Sequence, residues 1–516
     1  MLPFLTLALS APLSSLSPTV TPIAPESLDA VLVQALPDPP SDAPDPTLAQ
    51  AASDLDAPSA SPDAPTPQVP FEPIAPTPPV PATPKEVFRP QEVRPLPNTL
   101  DEVPVFNSNS PELVIEPGIL LSTFPPSGMA APRAHLDYTF NGRFDIFAHH
   151  IAKSDSEETL RTVYLGILAH NPSDRPVIVD FLEGATYLSQ PDAPFVELPS
   201  HVPNPHRLVY AGPGSRVTDE VLRDHLQARL PLRQVIRPGQ SEMLLNVPIL
   251  FRGSPSLVNG RSTYIRLRSN GDIHLASMAM FAPFNAQGFE DRPTLAAWEN
   301  MLRTGTLAGP RDIAASPPDT IGSPFYYGRV SGVAQGSEWV ATLTDPGQET
   351  LSIPAANRPI SYGLSLLDRG TLGTGQIQSA PMLRRYPDTS YRAHGNYGIE
   401  YRLTLPLVNN TRFSRTVAIA LETPIKDDRA AQAGGLRFFE PRSDRVFFRG
   451  TVEVSYTDDR GVPQTDYYHL VQHRGQQGEP LVTLNLRPGE QRNVRVSFLY
   501  PPDATPPQVL TVKTLR

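Results

Sequence analysis

The residues closest to a ligand set are the adjacent pair His149-His150, with Asp145 and His135 upstream. Histidine and carboxylate are the common ligands of zinc. Consecutive side chains of an extended chain point to opposite faces, however, so the two histidines share one ion only if the backbone bends between them. The competing reading is a pair of structural histidines, and no metal or other cofactor is expected. Acid pairs come next. Glu400 with Asp388 or Asp145 would make a glycosidase pair if folding brought the carboxyls to the right separation, which spacing along the chain does not determine. Asp427-Asp428 and Asp458-Asp459 could donate oxygens to calcium, but the spaced ligand pattern of a dedicated loop is missing and solvated turns are the default.

The richest stretch is an aromatic row: Tyr386, Tyr391, Tyr397 and Tyr401, with Arg384, Arg385, His394 and Asn396 between them. Flat apolar rings interleaved with amide and guanidinium donors are what a polysaccharide platform needs. Arg384, Arg385, Tyr386, Tyr391, His394, Asn396 and Tyr397 are therefore the candidate carbohydrate-binding residues. Against this stands the ordinary fate of large aromatics, which is burial, with Tyr397 and Tyr401 as core or inter-sheet residues. Asn107 to Ser110, NSNS, could line a sugar site or satisfy their own backbone in turns. Gly370 to Gly375, GTLGTG, has the wrong spacing for a dinucleotide fingerprint and no Lys-Ser/Thr for a P-loop. GxSxG and HExxH are absent. With no cysteine there is no thiolate nucleophile, disulfide or thiolate metal site. No catalytic residue is assigned.

The elements that position these residues are strands. In Thr162–Tyr187, Val163, Leu165, Ile167 and Ala169 alternate with their neighbours at period two, Asn171 to Asp174 supply turn chemistry, and Val177, Val179 and Phe181 resume the alternation. That predicts a hairpin. Tyr401, Leu403, Leu405 and Leu407, the turn at Asn409-Asn410, and Val417, Ile419 and Leu421 repeat the design. Arg237-Pro238-Gly239-Gln240 is likewise answered by Arg487-Pro488-Gly489-Glu490. The echo is imperfect, because the second turn reads two residues longer from Asn to the returning Val and the alternation after Pro-Gly slips by one. An internal repeat is the hypothesis, and different strand orders in the two halves would refute it. Asn270-Gly271 in STYIRLRSNGDIHLASMAMF predicts a tight hairpin with Ile265 and Leu267 facing Ile273 and Leu275. PTLAAWENMLRTG places Leu295, Trp298 and Leu302 at helical spacing ahead of Gly305. FYYGRVSGV, EWVATLTD, ETLSIP and ISYGLSLL read as strands.

The chain's 516 residues exceed one core and leave room for two to four domains. Of 63 prolines, 21 fall in residues 1–84, which hold nine carboxylates and no Lys or Arg. Nine of the ten net negative charges thus lie there and the remainder is nearly neutral, which gives no footing for a nucleic acid partner. Met1 to Leu16 resembles a signal peptide without its positive n-region, the alternative being an ordinary apolar N-terminus or a start placed too far downstream. No other stretch is long enough to span a membrane. The expected fold is mainly β: two or more immunoglobulin-like β-sandwich modules with a small α/β insertion, preceded by a disordered Pro-rich N-terminal tether. The expected divisions are 1–20 signal peptide, 21–87 linker, 88–282 first sandwich, 283–395 connecting region with one helix and short strands, and 396–516 second sandwich.

The blocks NSNSPE, GILLSTFPP, GRFDIFAHHI, AGPGSR, GTLGTGQIQSAPM, AHGNYG and RGQQGEPLVTLNL look like the recurring blocks of a family of uncharacterised cyanobacterial proteins, known only as a domain of unknown function. The resemblance covers most of residues 88–516 and implies export, with no catalytic residues to carry over. The expected function is a non-enzymatic exported envelope or extracellular protein, in the periplasm, on the outer membrane or outside the cell. Its partner would be an envelope polysaccharide or another envelope protein. Two alternatives stand: a carbohydrate-binding or carbohydrate-active protein using the aromatic row, and a periplasmic assembly chaperone that lends an edge strand.

Overall fold

The computed structural model describes residues 83–154, 161–251 and 257–515. The expected signal peptide and nearly all of the expected tether lie outside the described residues. An N-terminal strap carries β1 (Lys85–Pro90), β2 (Glu92–Arg94) and β3 (Pro104–Ser108). Next come β4 (Leu113–Val114), β5 (Gly118–Ser122), β6 (Phe140–Lys153), β7 (Val163–His170), β8 (Val177–Leu188), β9 (His201–Pro203) and helix α1 (Pro213–Leu222). After them run β10 (Arg233–Ile236), β11 (Ser241–Ile249), β12 (Val258–Phe281) and helix α2 (Leu295–Thr304). The middle of the chain forms β13 (Ser331–Gln335), β14 (Glu338–Thr342), β15 (Leu351–Ser352), β16 (Ile360–Leu364), β17 (Ala380–Arg385) and β18 (Arg392–Ala393). The last part forms β19 (Glu400–Val408), β20 (Arg415–Glu422), helix α3 (Asp428–Gln432), β21 (Gly435–Glu440), β22 (Val446–Thr457), β23 (Pro463–His473), β24 (Val482–Leu486), β25 (Gln491–Leu499) and β26 (Gln508–Thr514). The protein is mainly β, with several sheets.

Alternation in β7 and β8 does produce strands, but they do not pair with each other. β7 pairs with β11 and β12, whereas β8 pairs with β10 and β12. The expected hairpin is a corner that carries the chain from one sheet to another. Asn171 holds it: its Nδ2 donates to Arg175 O at 2.6 Å and Ile236 O at 3.0 Å, while its Oδ1 accepts from Ser173 N at 2.9 Å. One side chain thus bridges both limbs of the turn and the neighbouring strand.

The Asn270-Gly271 hairpin is also corrected, because β12 runs unbroken for 24 residues. Its first part pairs with β6 and β8 and its last part with β5 and β7, with the register shifting between Ser269 and Ile273. Asn270 Oδ1 accepts from Ile178 N at 2.7 Å, so the side chain serves the neighbouring strand. A Cβ on Gly271 would stand 2.8 Å from Val177 Cγ2, which explains glycine there by close approach.

The second half repeats this plan. The order β10-β8-β12-β6-β3 is matched by β24-β20-β26-β16-β2. In each row the first three pairings are antiparallel and the last is parallel. The corner recurs atom for atom: Asn409 Nδ2 donates to Phe413 O and Leu486 O, each at 2.8 Å, and Asn409 Oδ1 accepts from Thr411 N at 3.0 Å. Gly239 N bonds Asn171 O as Gly489 N bonds Asn409 O. The two turns are of equal length, and the apparent two-residue insertion comes from matching Val417 to Val177 when its counterpart is Val179.

Each half centres on a core, and the second core also takes in first-half side chains such as Phe147, Tyr187 and Tyr264. Ile146, Leu165, Ile167, Val179, Ile265 and Leu267 belong to the first. Leu403, Leu405, Leu407, Val417, Ile419 and Val496 belong to the second. Each such side chain contributes about 1.5–3 kcal/mol. The stretch expected to connect two bodies is divided between their sheets: β13 and β17 extend the sheet of β3 and β6, whereas β14 and β15 pair with β19. The strap is divided too, since β2 completes the second row and β3 the first. The segment between β8 and β10 crosses over, with β9 pairing to β23 and α1 placing Val217 and Val221 in the second core. Helix α2 forms as expected, capped by the Thr294 side chain, with Trp298 and Leu302 buried.

Candidate functional site

The histidine cluster is dispersed into structural contacts. His150 bonds Ser108 Oγ and Pro111 O, each at 2.9 Å, while His149 bonds Ser262 Oγ at 2.8 Å. His135 bonds Ser122 Oγ at 2.8 Å. Burial holds His149 down to about 3, with neighbouring His150 and Arg329 adding to it, and holds His150 at about 4, so both rings stay neutral. Asp145 is fully buried, ion-paired to Arg143, and accepts from Tyr264 Oη at 2.6 Å and from Ser337. Among the described residues no three His, Asp or Glu side chains form a metal-sized group.

The three acids weighed as a glycosidase pair are each engaged elsewhere. Glu400 is clamped by Arg266 at 2.7 Å and by Arg402, and Asp388 takes a two-pronged bond from Arg311 at 2.8 and 3.1 Å. The Arg266–Glu400 pair fastens β12 of the first half to β19 of the second. Asp427 caps helix α3, Asp428 holds the GTLGTG turn through Thr371, and Asp458 accepts the amides of its own turn. Ser108 and Ser110 of NSNS are tied to His150 and Asp312.

The aromatic row does not form one platform. Tyr386 and Tyr401 are fully buried, in the first and second cores respectively. Tyr386 Oη accepts from Ser122 N at 3.0 Å and donates to Ala134 O at 2.8 Å, and burial pushes its pKa up. Tyr401 stacks on Trp339 and Phe498. Tyr397 donates to Ala504 O at 3.0 Å, and Asn396, itself buried, bridges Gln378 O and the Tyr401 hydroxyl. Arg384 is exposed at the edge of β17.

A remnant of the row does converge on a surface cleft. Tyr391 and His394 line it together with Phe325, Tyr327, Asp368 and Arg392. His394 Nε2 donates to Gly328 O at 2.7 Å, and burial keeps the ring neutral with a pKa of about 4. Tyr327 lies against His394 with ring centres 5.2 Å apart and meets Phe325 edge-on at 5.1 Å. Arg385 places its guanidinium 3.6 Å from the centre of the Tyr391 ring, and Arg369 does the same to Phe325 at 4.1 Å. A second cavity, between the halves, is walled by buried groups such as Asn107, Asn396 and Tyr264. Phe325 and Tyr327 escaped the sequence reading because FYYGRVSGV resembles a strand; only its last residues, from Ser331, form one.

The family model described as "Protein of unknown function (DUF3370)" matches residues 91–514. The chain belongs to this family. Every block of the sequence that carries the resemblance lies in or overlaps the DUF3370 region, and no curated protein matches the chain. In this DUF3370 protein the block residues are largely structural: GILLS is the buried strand β5, GRFDIFAHHI is most of β6, and AGPGSR starts α1. Among the described residues no helix is long and apolar enough to cross a membrane.

Proposed function

We propose that this DUF3370 protein is an exported, non-catalytic component of the cell envelope or extracellular space, in which a doubled immunoglobulin-like sandwich presents a surface for binding. The observation that carries the reading is the use of its acids. Glu400, Asp388 and Asp145, the carboxylates a hydrolase would need free, are each held by an arginine: Glu400 by Arg266 of a neighbouring strand, Asp388 by Arg311 between two loops, and Asp145 by Arg143 of its own strand. Such pairs, once desolvated, are costly to break and poor at moving protons. The apolar start of the sequence supports export, as does the acidic, proline-rich stretch ahead of the sandwich.

Fractionation of cells expressing the full chain tests this reading. The protein is expected outside the cytoplasm, with its N-terminus shortened within the first twenty or so residues as read by mass spectrometry. Recovery of the unshortened chain from the cytoplasm, or release of reducing ends from envelope glycans by the purified protein, would overturn it.

A further inference from the structure

We propose that the cleft between Phe325 and Tyr391 binds an acidic saccharide; this deepens the binding part of the reading above and rests on it. Two rings line the same cleft, and each is backed by a guanidinium: Tyr391 by Arg385 and Phe325 by Arg369. Backing fixes the ring and supplies cation–π attraction on one face, so the remaining apolar surface is held ready for the C–H face of a sugar. Arg385 is itself held by the carbonyls of Tyr386 and Thr389, and Arg369 by those of Thr320 and Gly322. The rings therefore rest on fixed supports and lose little freedom on binding.

The polar groups set the ligand's charge. Arg392 lies in the cleft with its Nε 3.4 Å from Asp368 Oδ1, and that buried nitrogen has no hydrogen-bond partner. Lys426 Nζ lies 5.8 Å from the Tyr327 ring. Arg392 and Asp368 line the cleft, Arg369 and Arg385 stand behind its rings and Lys426 lies against Tyr327, so four cations face two carboxylates, Asp368 and Asp428, that act on Tyr327. The excess of positive charge favours a sugar carrying carboxylate or sulfate over a neutral one. His394 adds no charge, since its ring is neutral and its Nε2–H is spent on Gly328. The cleft is too shallow to enclose a sugar, which therefore lies across the mouth, against the rings.

The test is calorimetric titration of the full-length protein with an oligogalacturonate and with a neutral cello-oligosaccharide of equal length. Saturable binding is expected for the acidic sugar, at least tenfold tighter than for the neutral one. Tyr391→Ala and Phe325→Ala should each weaken it about tenfold, while Tyr391→Phe keeps it. Arg392→Gln should abolish the preference for the acidic sugar while leaving the weak neutral binding. Unchanged near-ultraviolet circular dichroism identifies variants that have folded. Equal affinity for both sugars, no binding of either, or binding untouched by the ring variants would each overturn the proposal. A protein that is exported and yet binds neither sugar removes this site alone, whereas a cytoplasmic protein that binds removes only the envelope reading.

Discussion

Replacing His469 by leucine separates two effects of burying an imidazole. His469 lies in β23, is fully buried opposite Thr451, and has no hydrogen-bond partner on either ring nitrogen. Burial, reinforced by the Arg449 guanidinium, holds its pKa down to about 3 from the ordinary 6.5. A depressed pKa makes the unfolded state the better proton acceptor, so this contribution to stability is intact above 6.5 and is lost as pH falls toward the folded value. At about pH 4.5, two units below the unfolded value, the loss amounts to about 2.7 kcal/mol. That figure does not depend on how far below 4 the folded pKa lies. Leucine cannot take the proton, so the difference in stability between variant and parent should grow by about 2.7 kcal/mol from pH 7.5 to pH 4.5. At neutral pH the change itself should be neutral or stabilising by about 1 kcal/mol, because an unsatisfied polar ring is replaced by an apolar side chain. Urea unfolding of both proteins at the two pH values measures this. Parallel loss of stability in parent and variant would show that the ring is solvated or already charged when folded, and the reasoning would fail.

Three further outcomes follow from the fold. Asn171→Ala and Asn409→Ala should each cost about 2 kcal/mol or more by stranding the carbonyls their side chains satisfy, and because the corners lie in different halves the costs should add in the double variant, as read by denaturant midpoints. Glu400→Gln removes the nearest counter-charge of buried Arg266, leaving Glu338 at 4.0 Å, and should cost about 3 kcal/mol, most of it recovered when Arg266→Met is added, in thermal melts of the two variants. Phe106→Ala, in the fully buried middle of β3, should lower stability by about 3–5 kcal/mol and open β6 and β13 to hydrogen exchange before the second half.

Strand identity was legible where one face is buried. The alternation of Leu403, Leu405 and Leu407, and the helical spacing of Trp298 and Leu302, describe faces, and the faces were right. Pairing was not legible, because alternation names no neighbour: nothing in β7 or β8 says that they lie in different sheets. Asn270-Gly271 misled for a related reason. Its side chain and its missing Cβ serve β8, a long-range demand that local turn chemistry cannot reveal. Helix α1 went unread because a proline and two small residues open it and its buried Val217 and Val221 answer to strands of both halves, β8 and β12 on one side and β22 and β25 on the other. Of the proposed binding row, Tyr391 and His394 reach the cleft. Phe325 and Tyr327 come from a loop without periodicity, where only the backbone path decides what the rings meet.

The strap that feeds both rows also decides how the body answers a pull from its N-terminal side. β1 is held by six pairings to β21 alone and can peel away one residue at a time from Lys85. β2 and β3 run parallel to β16 and β6, and β3 is gripped on both edges. Traction along these strands loads their bonds together rather than in turn. A tug applied at Lys85 would therefore first spend itself in unzipping β1, a sacrificial link that yields while the two cores stay shut.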